Sequence, residues 1–182
     1  DTVYGLTGAG QSEAAARAVY ALKGRSEIQP TALVFSSSEA LFAHLPELGD
    51  RERAIAHALL PGPFTLVVAN PARRFAWLTG SRPDAIGVRV PALAGPGRKV
   101  LDGVGVVVAT SANLPGGRDP RSLHEVPSEI LTGADAAVDG GLLPGRPSTV
   151  LDVTGAEVTV IREGAVPADE ALERVRAALT GS

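Results

Sequence analysis

Two periods of apolar spacing alternate along this chain. "SEAAARAVYALKG" carries apolar residues at helical spacing, with Ser12 placed to cap its start, Glu13 in the first turn and Gly24 placed to end it. "TALVFS" is a short β-rich run, after which "SEALFAHL" and "DRERAIAHALL" return to a helical pattern that Pro61-Gly62-Pro63 stops. "FTLVVAN" and "AIGVRVP" read as strands, and "VGVVVATS" reads as a strand buried on both faces. "SLHE", residues 122 to 125, has capping-box spacing, with Pro127 against any long helix there. "STVLDVTGAEVTVIREG" predicts a hairpin turning at Thr154-Gly155-Ala156-Glu157. The last segment, "ADEALERVRAALT", predicts an amphipathic helix with Leu172, Val175 and Leu179 on one face.

Strands and helices in this order predict an α/β domain. The hairpin adds an antiparallel pair, so the expected sheet mixes parallel and antiparallel strands. With no repeat, linker or low-complexity tract, residues 1–182 are expected to form a single domain. No apolar run is long enough to cross a bilayer, no leader opens the sequence, and cysteine is absent, which together predict a cytoplasmic protein away from membranes. Asp1 in first place suggests a start that has been trimmed.

Charge and composition narrow the chemistry. Seventeen basic and twenty acidic residues leave a net charge of −3, so no global field draws the chain to nucleic acid. Seven aromatic residues are too few for a single-strand stacking platform. His44, His57 and His124 lie in separate helical segments without ligand spacing, and no protein metal site is expected. Ser111 lacks a nucleophile elbow, which argues against a serine hydrolase. The glycines of "GLTGAG" fit neither a dinucleotide fingerprint nor a P-loop and read as loop punctuation.

A few polar positions stand out. Lys23 and Arg25 flank the helix stop at Gly24. They serve equally well as partners of the negative helix end or as a grip on polyphosphate. Arg89 alternates with Val88 and Val90, so it points away from the core face. Across the hairpin, Ser148 and Arg162 fall near the same end of the sheet. In "ATSANLPGG", Thr110, Ser111 and Asn113 follow an apolar strand directly. That is the crevice position where open α/β sheets bind ligands.

The stretches "DTVYGL", "KGR", "LLPGPFTLVV", "WLTG", "GVRVP", "TSAN", "PSTVLDVTG" and "IREGAV", taken in order, resemble the YrdC-like family of threonylcarbamoyl-AMP synthases. The resemblance runs from Asp1 to about Val166 and implies a twisted, open, mixed sheet flanked by helices, with a deep ligand cleft. It also implies a nucleotidyltransferase that joins L-threonine, bicarbonate and ATP into threonylcarbamoyl-AMP and pyrophosphate, with Mg2+ carried by the ATP. Downstream proteins would pass the product to tRNA as N6-threonylcarbamoyladenosine.

By the same resemblance Lys23 and Arg25 are catalytic and hold the ATP phosphates, and Gln29, Ser111, Asn113 and Arg162 complete the nucleotide site. Thr2, Arg89, Thr110 and Ser148 face threonine, Arg89 suiting its carboxylate. The chain departs from the family pattern at Ser26 and Gln29, where proline and asparagine are common. It also carries Val34 where one branch has a histidine. The carboxyl-terminal domain of the longer branch is not seen, so the short form is expected. Two other readings are kept open: adenylation of a different carbamate, as in hydrogenase-maturation carbamoyltransferases, and a non-catalytic module that binds structured RNA such as tRNA.

Overall fold

A computed structural model describes residues 1–180 of the chain. Seven strands form one mixed sheet: β1 (Gly5–Ala9), β2 (Ala32–Phe35), β3 (Phe64–Ala69), β4 (Ala85–Arg89), β5 (Val106–Ser111), β6 (Thr149–Asp152) and β7 (Thr159–Arg162), in the order β1-β5-β2-β4-β3-β6-β7. The β2–β4 and β3–β6 pairs are parallel and the other four neighbours antiparallel. Among the described residues there are six α-helices: α1 (Glu13–Lys23), α2 (Ser38–His44), α3 (Asp50–Leu59), α4 (Gly95–Val104), α5 (Ser128–Gly133) and α6 (Ala168–Thr180). None of the described helices is long and apolar enough to cross a membrane.

Local chemistry sets several boundaries. Ser12 Oγ accepts from the Ala15 N–H at 3.2 Å, which caps α1. Gly24 ends the same helix in the left-handed region at φ 67°, where a side chain would be strained. Ser37 Oγ starts α2 by accepting from the Ala40 N–H at 3.1 Å.

Strand alternation then divides the sheet into two faces. Leu33 and Phe35 of β2, Phe64 and Leu66 of β3, Val88 of β4, Val108 of β5 and Leu151 of β6 are all fully buried. Helix residues Ala16, Ile55, Ala56, Leu59, Ala171 and Val175 join them in one core cluster. The residues between them on each strand lie on the other face, which carries a cavity.

Five local expectations are corrected. "VGVVVATS" is not buried on both faces: Val106 and Val108 enter the core, while Ala109 and Ser111 line the cavity. Two of the "GLTGAG" glycines, Gly5 and Gly8, are not loop punctuation, because Gly5–Ala9 is a strand paired antiparallel with β5; Gly10 does sit in the turn that follows. At Gly8 an added Cβ would lie 3.1 Å from the Ala15 carbonyl, so glycine lets α1 approach. "SLHE" forms no capping box; it makes a 3-10 turn, and Glu125 instead accepts from the Arg121 N–H at 2.8 Å. On α6 the buried residues are Ala171 and Val175, while Leu179 is exposed. Helix α4 was not anticipated at all, since its three glycines and proline hid the pattern.

Thr149 ties the hairpin to the segment that follows it. It is fully buried, its hydroxyl donates to the Val166 carbonyl at 2.6 Å and accepts from the Gly164 and Val166 N–H groups at 3.1 Å each. Thr149→Val keeps the shape and orphans all three backbone groups. It is expected to cost about 3 kcal/mol or more, because each of the three buried polar groups left unpaired costs about 1–3. Thermal unfolding checks this, and an unchanged midpoint would contradict it.

Candidate functional site

The cavity has a volume of about 570 Å³ and lies on the face of the sheet opposite the core. Its floor is the outward set of strand residues, including Val34, Thr65, Val67, Gly87, Ala109 and Val150. Its charge comes from four arginines, Arg25, Arg82, Arg89 and Arg162, against two aspartates, Asp1 and Asp119. The chain as a whole is acidic, so this hollow reverses the overall sign.

Each arginine is positioned by a different part of the chain. Arg25 follows the Gly24 turn; its Nη1 donates to Thr110 Oγ1 at 3.2 Å and its Nη2 to the Pro30 carbonyl at 2.6 Å. Its Nε is buried with no partner. Arg89 ends β4, where alternation sends Val88 and Val90 into the core and the guanidinium into the cavity. One nitrogen, Nη2, serves both Asp1 and Thr2 Oγ1, the latter at 3.1 Å. Arg162 ends β7 and donates to the Ser148 carbonyl through Nη2 at 2.8 Å and Nε at 3.3 Å. Arg82 is matched by Asp152 at 2.6 Å.

Of the other three, Arg162 repels both Arg25 and Arg89. Burial and then the charge of Arg162 push Arg89 down to about 10. Burial also lowers Arg25, with a further contribution from Arg162. At about 10, Arg89 remains charged at neutral pH. A polyanion bound among these arginines would relieve both the burial and the repulsion.

Hydroxyl groups fill the spaces between the cations. Ser148 is buried and its Oγ lies 2.7 Å from Thr65 Oγ1. Thr2, Thr31, Thr79, Thr110 and Ser111 also line the wall. Lys23 takes a different direction from Arg25. It is buried and donates to the carbonyls of Ser111 at 2.6 Å and Asn113 at 2.7 Å and to Asn113 Oδ1 at 2.5 Å.

Seven of the residues singled out from the sequence therefore meet at one cavity: Thr2, Arg25, Arg89, Thr110, Ser111, Ser148 and Arg162. Asn113 lines an adjoining groove that shares Asp119 with the cavity. Gln29 lies apart, exposed on the segment after α1 and outside the lining. Thr31, Thr65, Thr79 and Arg82 were missed. Thr65 had a signal, since it alternates with Leu66 as Arg89 does with Val88. Among the described residues no group of three His, Cys, Asp or Glu side chains is placed to hold a metal ion.

A family model described as Telomere recombination, Sua5/yciO/yrdC, matches residues 1–164. The chain belongs to the Sua5/YciO/YrdC family. Within that family it is 30% identical over 176 residues to the threonylcarbamoyl-AMP synthase of Pyrococcus abyssi, covering 96% of this chain and 51% of that one. It is 34% identical over 142 residues to the enzyme of the same name from Halorhodospira halophila, covering 78% and 74% of the two chains. The crystal structure of P. abyssi Sua5 complexed with L-threonine superposes with a TM-score of 0.84 at 30% identity, over 95% of this chain and 51% of that one. The chain thus spans about half the length of the P. abyssi relative.

A site of this kind should respond to a simple polyanion. Inorganic tripolyphosphate at a hundred times its dissociation constant is expected to stabilise the protein by about 2.7 kcal/mol. In a differential scanning fluorimetry trace that raises the melting temperature by about 5–10 °C for a chain of this size. Arg25→Gln or Arg162→Gln should remove most of the rise. An equal rise in both variants would place the anion elsewhere.

Proposed function

We propose that this chain is the catalytic domain of an L-threonylcarbamoyladenylate synthase, a transferase of the nucleotidyl class that acts in tRNA modification. The observation that carries the proposal is the convergence of Arg25, Arg89 and Arg162, from remote parts of the chain, on one hydroxyl-lined cavity. The names of its relatives, and the L-threonine held by P. abyssi Sua5, support the same reading.

In this reading the triphosphate of ATP lies between Arg25 and Arg162, near the Ser111–Asn113 loop. The unpartnered Arg25 Nε supplies a further donor there. Arg89 commits only Nη2 to Asp1 and Thr2, which leaves Nε and Nη1 for the carboxylate of threonine. Thr110, Ser148 and its neighbour Thr65 orient the amino acid.

The chemistry requires no protein nucleophile. The amino group of threonine adds to bicarbonate with loss of water, giving a carbamate. A carbamate oxygen then attacks the α-phosphorus, forming the P–O bond of the mixed anhydride as the bond to pyrophosphate breaks. Negative charge builds on the α-phosphate oxygens and on the leaving pyrophosphate, where fixed cations stabilise it. Mg2+ enters as part of the ATP substrate. Proteins downstream would transfer the threonylcarbamoyl group to tRNA, and a cytoplasmic location follows from that role.

The protein is expected to release pyrophosphate only when ATP, bicarbonate and L-threonine are all present. Release without threonine, or with carbamoyl phosphate in its place, would contradict the assignment. Arg25→Ala should lower kcat/KM about 30- to 1,000-fold, the scale of losing one preorganised donor to transition-state charge, about 2–4 kcal/mol. An unchanged rate would contradict the role given to Arg25.

A further inference from the structure

Lys23 was expected to grip phosphate beside Arg25, but its ammonium is already committed. An ammonium has three hydrogens and no lone pair. Three oxygens take them at 2.5–2.7 Å: the Ser111 carbonyl, the Asn113 carbonyl and Asn113 Oδ1. Ser111 Oγ lies farther away, at 3.4 Å. Lys23 is only 6% exposed and does not line the cavity that Arg25 lines. The Gly24 turn separates them. Lys23 leaves the last helical position inward, and Arg25 leaves the first position beyond the turn toward the cavity.

The commitment has a directional consequence. Because Lys23 can only donate, the oxygen of the Asn113 amide must face it, and the NH2 group faces the other way. One hydrogen of that group goes to the Gly117 carbonyl at 2.6 Å. The second remains for a ligand. Asn113 Oδ1 also accepts from Ser111 Oγ at 2.6 Å, so the Ser111 hydroxyl spends its proton inside the loop. It therefore offers the cavity lone pairs rather than a donor.

We infer that Lys23 is a positioning residue: it holds the Ser111–Asn113 loop in one hydrogen-bonding polarity, with the Asn113 amide oxygen turned inward, its NH2 tied to Gly117 in the adjoining groove, and the Ser111 oxygen offered to the cavity as an acceptor. The inference rests on the synthase reading for the identity of the ligand. The phosphates are then met by Arg25 and Arg162, and Lys23 acts through the loop whose Ser111 lines the cavity. Direct contact with phosphate would require the ammonium to abandon one of three oxygens: either carbonyl would lose this donor, and Asn113 Oδ1 would keep only Ser111 Oγ.

Two measurements test this. The chain has two lysines, Lys23 and Lys99, so a sample labelled with 15N-lysine and 15N-arginine gives two ammonium signals, assigned with Lys99→Arg, beside the arginine Nε–H signals. The Lys23 signal should be protected from exchange in the unliganded protein. On addition of Mg-ATP it should move less than the Arg25 Nε–H signal. A larger movement of the Lys23 signal, or its absence before ligand is added, overturns the inference.

The second measurement is a double-variant cycle on ATP affinity, read by calorimetry, with Lys23→Met and Asn113→Ala. Each single variant should weaken binding about tenfold, and the pair should stay within about threefold of the weaker single, because residues in one network couple. A product near a hundredfold overturns the inference and leaves the synthase reading intact. Failure of ATP to bind the wild-type protein overturns both. If Lys23→Met does not fold, the lysine spectrum of the wild-type protein decides.

Discussion

Three like charges held close together on one side of a sheet are the constraint on which this molecule turns. Arg25 and Arg89 lose stability by burial and by the charge of Arg162, and the cavity lining offers Asp1 and Asp119 to offset them. Such an arrangement persists only if the scaffold is stable without it. Here the other face of the same strands supplies that stability, with Phe35, Phe64, Leu66, Val88, Val108 and Leu151 closed off from water. Core and cavity are thus two sides of one alternating pattern, and a one-residue slip in a strand would exchange them.

The connections between strands explain how distant residues meet. β4 lies between its parallel neighbour β2 and its antiparallel neighbour β3, which brings the Arg89 end close to the start of the chain. The β6–β7 hairpin pairs Val150 with Arg162, so Ser148 and Arg162 close one rim. Arg25 reaches the opposite rim through the Gly24 turn and is held there by Thr110 and Pro30. The apolar floor and the hydroxyls between the cations leave room for a ligand with both an organic body and several negative oxygens.

Much of this was legible in the sequence wherever one residue's neighbours fixed its direction. Alternation in "GVRVP" sends Arg89 away from the core, and the hairpin places Ser148 near Arg162. Gly24 marked the end of α1 and Pro61 the end of α3 correctly. Other glycines misled: Gly8 serves close packing of α1 on β1 rather than a turn, and α4 was hidden by its glycines. Arg82 could not be found because it sits in a turn, where no period gives a direction. The role of Lys23 was equally illegible. Spacing placed it beside Arg25, but only the fold shows that the Ser111–Asn113 loop, nearly ninety positions away, takes all three of its hydrogens.

The central claim is that the arginine-lined cavity receives one nucleotide and one amino acid together. The most direct measurement is a crystal structure of the protein with Mg-ATP and L-threonine bound. The account predicts the triphosphate between Arg25 and Arg162 and the threonine carboxylate on Arg89, within the same hollow. Nucleotide seated in the adjoining groove around Arg118 and Arg121, with the cavity empty, would contradict it.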